Sequence, residues 1–193
     1  IFAMGLLAVT AVLFTQDIPR EKGDTSFQFG NLLFADQWGT NLKILVSTVA
    51  ILHLPFIMTY RAFQKERNLG EALILILINI IGLFVLASSA NFLMMVLGIE
   101  TISISSYILI AYPFNKKSIE ASLKYFIFGG AVAATMIYSL SMMYGVSGSL
   151  DISSIGTPQN INFGVYLPFL GIFILGLVFK ASAFPMHFWA PDV

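Results

Sequence analysis

The sequence predicts an all-α polytopic membrane protein with about six transmembrane helices, and three observations carry that expectation. Of its 193 residues, 58% are hydrophobic and 10% charged, with a mean hydropathy of +0.86, far from the balance of soluble domains. The apolar residues come in long unbroken runs and not in amphipathic periods, so the bilayer is the natural solvent. Net charge is zero and basic residues never run beyond a pair, which argues against a nucleic-acid surface and against a polybasic lipid-binding tail. Cysteine is absent, so disulfides and Cys-ligated zinc or iron-sulfur clusters are excluded from these residues.

A helix needs about 20 apolar residues, at ~1.5 Å rise each, to cross ~30 Å of hydrocarbon. Six segments meet that ruler: 1–15, 42–60, 71–88, 90–112, 119–145 and 165–183, together forming a single transmembrane domain over 1–193. The first lacks a basic leader and a cleavage site, and it begins within an apolar run at Ile1, so it reads as an incomplete span and not as a signal peptide. With an end directly after Pro191 and Asp192, the chain reads as a fragment. Residues 16–41 form the one long extramembrane loop, with room for a short hairpin or an interfacial strand. From Ala72 to Asn115 the only charge is Glu100; as one helix this stretch would measure roughly 65 Å, about twice the bilayer core, so it must fold back. The cluster from Ser88 to Asn91 is where that turn fits, making the flanking spans an antiparallel hairpin. Basic residues set the orientation: Arg61, Lys65 and Arg67 in one connection and Lys116 and Lys117 in another place both on the cytoplasmic, matrix or stromal side. Parity puts 16–41 opposite; Arg20 and Lys22 there count against the rule, although Asp17, Glu21, Asp24 and Asp36 surround them.

Two charges fall at hydrocarbon depth. Glu100 lies about ten residues into its span and Lys180 about fifteen into the last, roughly 15 and 22 Å from where each helix enters. Either would cost on the order of 2.5 to 3.5 kcal/mol facing lipid, so both are expected to face protein or water, where mutual pairing offsets part of the desolvation. A static salt bridge between two helices is the plainer interpretation. The residues after Lys180 favour function, because Pro185 lacks an amide proton and its ring crowds the carbonyl of Ala181, so the last helix is broken near Pro185. Broken helices beside buried charges recur at ion sites in transporters. His187 is of the residue type suited to passing protons at physiological pH, with an interfacial histidine beside Trp189 as the competing reading. Lys124 has Glu120 one turn before it and reads as structural on its own, and His53 before Pro55 reads as a core histidine on a kinked helix.

Three segments then carry a resemblance. FKASAFPMHFWAPDV over 179–193 resembles the seventh-helix signature of the antiporter-like membrane subunits of respiratory complex I, and its ending WAPDV narrows the likeness to one of those subunits. GIET at 98–101 and EASLKYF at 120–126 are similar to further motifs of the same family, in the same order, so the likeness covers essentially the whole chain. The resemblance implies a larger fold with inverted repeats, of which this stretch holds the second to seventh helices. It implies proton translocation coupled to quinone reduction, with Glu100 as the fifth-helix glutamate, Lys180 as the seventh-helix lysine, Lys124 as the sixth-helix lysine and His187 in the broken-helix loop. Desolvation favours a neutral amine and a nearby carboxylate favours the ammonium, so a change in the Glu100 to Lys180 separation would load or empty Lys180. It also implies no cofactor in this chain, with NADH, FMN, iron-sulfur clusters and quinone in partner subunits. The partners implied are other membrane subunits, neighbouring antiporter-like ones among them, and the lipid of a bacterial inner, mitochondrial inner or thylakoid membrane. Two other functions stay open: a subunit of a multi-subunit cation/proton antiporter or membrane-bound hydrogenase, and a haem carrier using His53 and His187, for which two isolated histidines are poor support.

Overall fold

The computed structural model describes residues 2–15, 26–28, 32–59, 69–152, 162–187 and 189–192. Arg20, Lys22, Arg61, Lys65 and Arg67, which bear on the orientation, lie outside them. The described chain is nearly all helix: α1 (Phe2–Thr15), α2 (Gln37–Thr59), α3 (Leu69–Ala87), α4 (Phe92–Ala111), α5 (Lys116–Ser147) and α6 (Phe163–Lys180), with a short antiparallel pair, β1 (Ser26–Gln28) and β2 (Leu33–Ala35), before α2. All but α1 are long and apolar enough to cross a membrane.

Side chains with an oxygen to offer set where the helices begin. Asn91 accepts from the Met94 amide at 2.8 Å, Asn162 from Gly164 at 3.1 Å, and Asp36 from Gly39 at 2.8 Å. Asn115 and Ser118 cap α5 reciprocally, each side chain accepting the other's backbone N–H. Gly148, at φ 70°, stops α5 in the left-handed conformation that other residues resist. The turn at 88–91 is held by backbone on both sides. Phe34 donates to the Ser88 carbonyl and Ala90 to Leu32, while Phe92 donates to Leu150 and Ile152 to Ala90. Groups that a helix end would leave unpaired near the membrane are satisfied in this way.

Successive helices pack as neighbours, and the contact of α3 with α4 is the tightest. There the backbones meet at Gly82 and Gly98: a Cβ on Gly98 would stand 2.9 Å from the Leu86 amide nitrogen. Asn79 of α3 adds a polar clamp, donating to Ser106 at 3.0 Å and Ser105 at 3.2 Å on α4. One core joins α4, α5 and α6 through Phe92, Val96, Ile99, Met136, Leu140, Met143, Tyr166 and Phe173. A smaller one joins α1, α2 and α3 through Leu6, Leu54 and Ile80. Large apolar side chains such as Phe56, Ile81, Ile104 and Ile127 remain exposed on the outer faces, where a bilayer would solvate them.

Candidate ion-pair site inside the bundle

Phe173, ten residues into α6, meets Phe92 at the first turn of α4 edge to face, with centroids 5.2 Å apart. The two helices run in the same direction, and α6 therefore begins roughly 15 Å before α4 does. That stagger brings Lys180, seven residues past Phe173, level with Glu100, eight residues past Phe92. Lys180 Nζ lies 3.0 Å from Glu100 Oε1, the lysine side chain 8% exposed and the glutamate 22%. The contact is a charge pair and not an aligned hydrogen bond, since Oε1 is buried with no donor directed at it. The aligned bond from Lys180 goes to Ser103 Oγ, at 2.8 Å. Ser103 is three residues after Glu100 on α4, which puts both on one face.

Lys180 is the last residue of α6. Its helix ends five residues before Pro185, through a turn in which Ala181 donates to Leu177, Ser182 to Phe179 and Ala183 to Val178. Ser182 has φ 51° and the Phe184–Pro185 peptide is cis. Trp189 closes over this end: buried, it donates Nε1–H to the Phe179 carbonyl at 3.2 Å, and it stacks on Tyr125 of α5 (4.5 Å, 4°) and on Phe179 (5.3 Å, 26°). Beside the pair is a cavity of about 380 Å³, whose polar lining comes from Ser103, Tyr125 and Lys180 amid Leu86, Met95, Ile99 and Leu177.

The other residues singled out from sequence stand apart. Lys124 is exposed and pairs with Glu120 on its own helix at 2.9 Å. His187 is exposed beyond the break, its ring 6.0 Å from that of Phe184. His53 is exposed and shares Nδ1 with the Val49 carbonyl at 2.9 Å. Ser103 and Trp189 were not singled out from sequence as parts of the pair's surroundings. For Ser103 the signal was there, a hydroxyl one turn from an intramembrane glutamate. For Trp189 nothing in a linear pattern shows that a loop folds back over the helix it has left.

Long apolar helices around a half-buried Glu–Lys pair at a helix end define an integral, polytopic helical membrane protein. More particularly, the chain belongs to the NADH:quinone oxidoreductase/Mrp antiporter transmembrane family, whose model matches residues 89–193. Its relatives include proteins named NADH-quinone oxidoreductase subunit N. That of Herminiimonas arsenicoxydans is 35% identical over 200 residues, covering all of this chain and 40% of that protein; that of Polaromonas naphthalenivorans is 32% identical over 196 residues. The chain spans about 40% of the length of these curated relatives. A chain of respiratory complex I from Thermus thermophilus, solved with aureothin bound, superposes with a TM-score of 0.79 at 28% identity, covering all of this chain and 40% of that one. The fold also matches, with a TM-score of 0.83 at 22% identity, a chain of the membrane-bound sulfane sulfur reductase, an archaeal respiratory membrane complex.

Proposed function

We propose that this chain is part of a proton-translocating, antiporter-like subunit N of an NADH:quinone oxidoreductase in a bacterial inner membrane. One observation carries the reading: a lysine ammonium at a helix end, inside the bundle, is shared between a carboxylate at 3.0 Å and a hydroxyl at 2.8 Å. Such a charge is costly at that depth and is seldom kept for packing alone. Lys180 holds the proton. Glu100 sets how firmly, because a carboxylate that approaches or withdraws changes the balance between ammonium and amine. Lys124 and His187, both exposed, serve as relays. NADH, FMN, iron-sulfur clusters and quinone belong to partner subunits of the same membrane complex, and quinone reduction there drives the change in the pair.

In assembled complexes reconstituted into vesicles, Glu100→Gln and Lys180→Ala should each lower proton uptake per NADH oxidised at least tenfold. Variants that assemble and pump as the unmodified complex does would overturn the assignment. The family model spans Mrp antiporters as well, which supports a second reading as a subunit of a cation/proton antiporter. Co-purification with NADH-oxidising flavin and iron-sulfur subunits favours the first; sodium-dependent transport without them favours the second.

A further inference from the structure

We infer that Ser103 is a positioning residue for the proton on Lys180, holding the ammonium through a hydrogen bond that Glu100 does not supply. This role rests on the proton-translocating reading above and gives the same site a third member.

Counting protons at one oxygen leads to it. The Ser103 hydroxyl has a single hydrogen, and it is committed to the Ile99 carbonyl of its own helix at 2.8 Å. Toward Lys180 the oxygen can therefore only accept, which it does at 2.8 Å. Ser103 is 2% exposed, so water does not compete freely for that oxygen. Glu100 is nearly as close, at 3.0 Å, but its buried oxygen has no aligned donor. The two partners divide the work. The carboxylate supplies charge, which acts over distance and changes if Glu100 moves. The hydroxyl supplies direction, fixing where Nζ sits when the charge interaction weakens.

The arrangement favours one protonation state. A neutral amine keeps two N–H donors and can still bond the same oxygen, but only as an uncharged donor, and its lone pair finds no donor in Ser103 unless the Ile99 carbonyl is released; the ammonium makes the stronger, charge-assisted bond. Ser103 thus stabilises loaded Lys180 over empty Lys180. Other titratable groups face the same place: Tyr125 of α5 lines the cavity, the buried Tyr107 side chain, one turn further along α4, faces Ser103 and Glu100, and the exposed Lys124 and Glu120 bond each other.

The test uses the full-length chain within the assembled complex in vesicles, following proton uptake and NADH oxidation against pH. Removing an acceptor makes the lysine easier to empty, so Ser103→Ala should bring the alkaline limb of the pumping profile down by about one pH unit. This corresponds to roughly tenfold weaker proton retention for one lost charge-assisted hydrogen bond. Ser103→Thr keeps the hydroxyl and should restore the original limb. An unmoved limb in Ser103→Ala overturns the inference. If that variant fails to assemble, Ser103→Cys, with similar volume and a weak acceptor, should move the limb the same way. Failure of both to assemble would make Ser103 a packing residue and also overturn it. Glu100→Gln, run in parallel, separates the two hypotheses: a silent Ser103→Ala beside an impaired Glu100→Gln sinks only the hydroxyl's role, whereas two silent variants sink proton translocation at this site.

Discussion

At the scale of the residue, the site depends on how a membrane helix is allowed to stop. Lys180 ends α6, and the carbonyls behind it lose the donors of a next turn. The Phe179 carbonyl takes the Ser182 amide at 2.9 Å and the Trp189 indole at 3.2 Å, so the loop itself completes the helix end. The same indole stacks on Tyr125 at 4.5 Å, tying the break to α5. These two contributions can be separated by substitution. Trp189→Phe keeps the stacked face and loses the N–H, and should cost about 1 kcal/mol. Trp189→Ala loses the stack and leaves a void, and should cost about 3 to 5 kcal/mol. The midpoint of heat-induced loss of the assembled complex reads both; equal falls would mean that the hydrogen bond, and not the packing, closes the break.

At the scale of the element, Glu100 and Lys180 meet because two contacts fix the register of α4. The stagger of α6 against α4, set by Phe173 on Phe92, decides which residue Lys180 reaches. The approach of α3 to α4 then decides how far Glu100 projects, since Gly98 precedes it by two residues. A methyl on either glycine would meet the backbone of the other helix: on Gly98 the Leu86 nitrogen at 2.9 Å and the Gly82 oxygen at 3.1 Å, and on Gly82 the Gly98 oxygen and the Ile102 nitrogen at 3.1 Å, with the Ile102 side chain at 2.8 Å. Backbone cannot move aside as a side chain can. Gly98→Ala and Gly82→Ala should therefore each destabilise by about 1 to 3 kcal/mol and, on the proposed function, lower proton uptake. Yields of assembled complex and proton uptake test both, and either variant assembling and pumping as the unmodified complex does would refute this account of the helix contact. Much at this scale was legible in advance: the turn at Ser88 to Asn91 comes from a length that one helix cannot have, and the break before Pro185 from a residue that cannot continue a helix. The depths of Glu100 and Lys180 looked compatible in sequence. What makes them so is the stagger, which depends on the meeting of two phenylalanine side chains and has no trace in a linear pattern.

At the scale of the whole molecule, the ends of the helices sort into two faces, and the backbone pairing makes one of them coherent. Strand β2, the turn at 88–91 and residues 150–152 are joined by Phe34 to Ser88 and Phe92 to Leu150 bonds, so these three connections lie on a single side. The starts of α2, α4 and α6 belong to that side by alternation; Lys116 and Lys117, at the start of α5, belong to the other. The sequence indicated this division through its basic residues, but the bridging of the loops was not readable there, since backbone groups pair without regard to side-chain identity. Basic residues favour the cytoplasmic face, so the bridged face should be periplasmic. These residues contain no cysteine, which lets a single introduced thiol report for this stretch. Gln37, Lys117 and Ile152 are all exposed. In intact cells, a membrane-impermeant maleimide should label Gln37→Cys and Ile152→Cys and should reach Lys117→Cys only after the membrane is opened. Labelling of Lys117→Cys alone would invert the orientation, and labelling of Gln37→Cys without Ile152→Cys would contradict the bridged face itself.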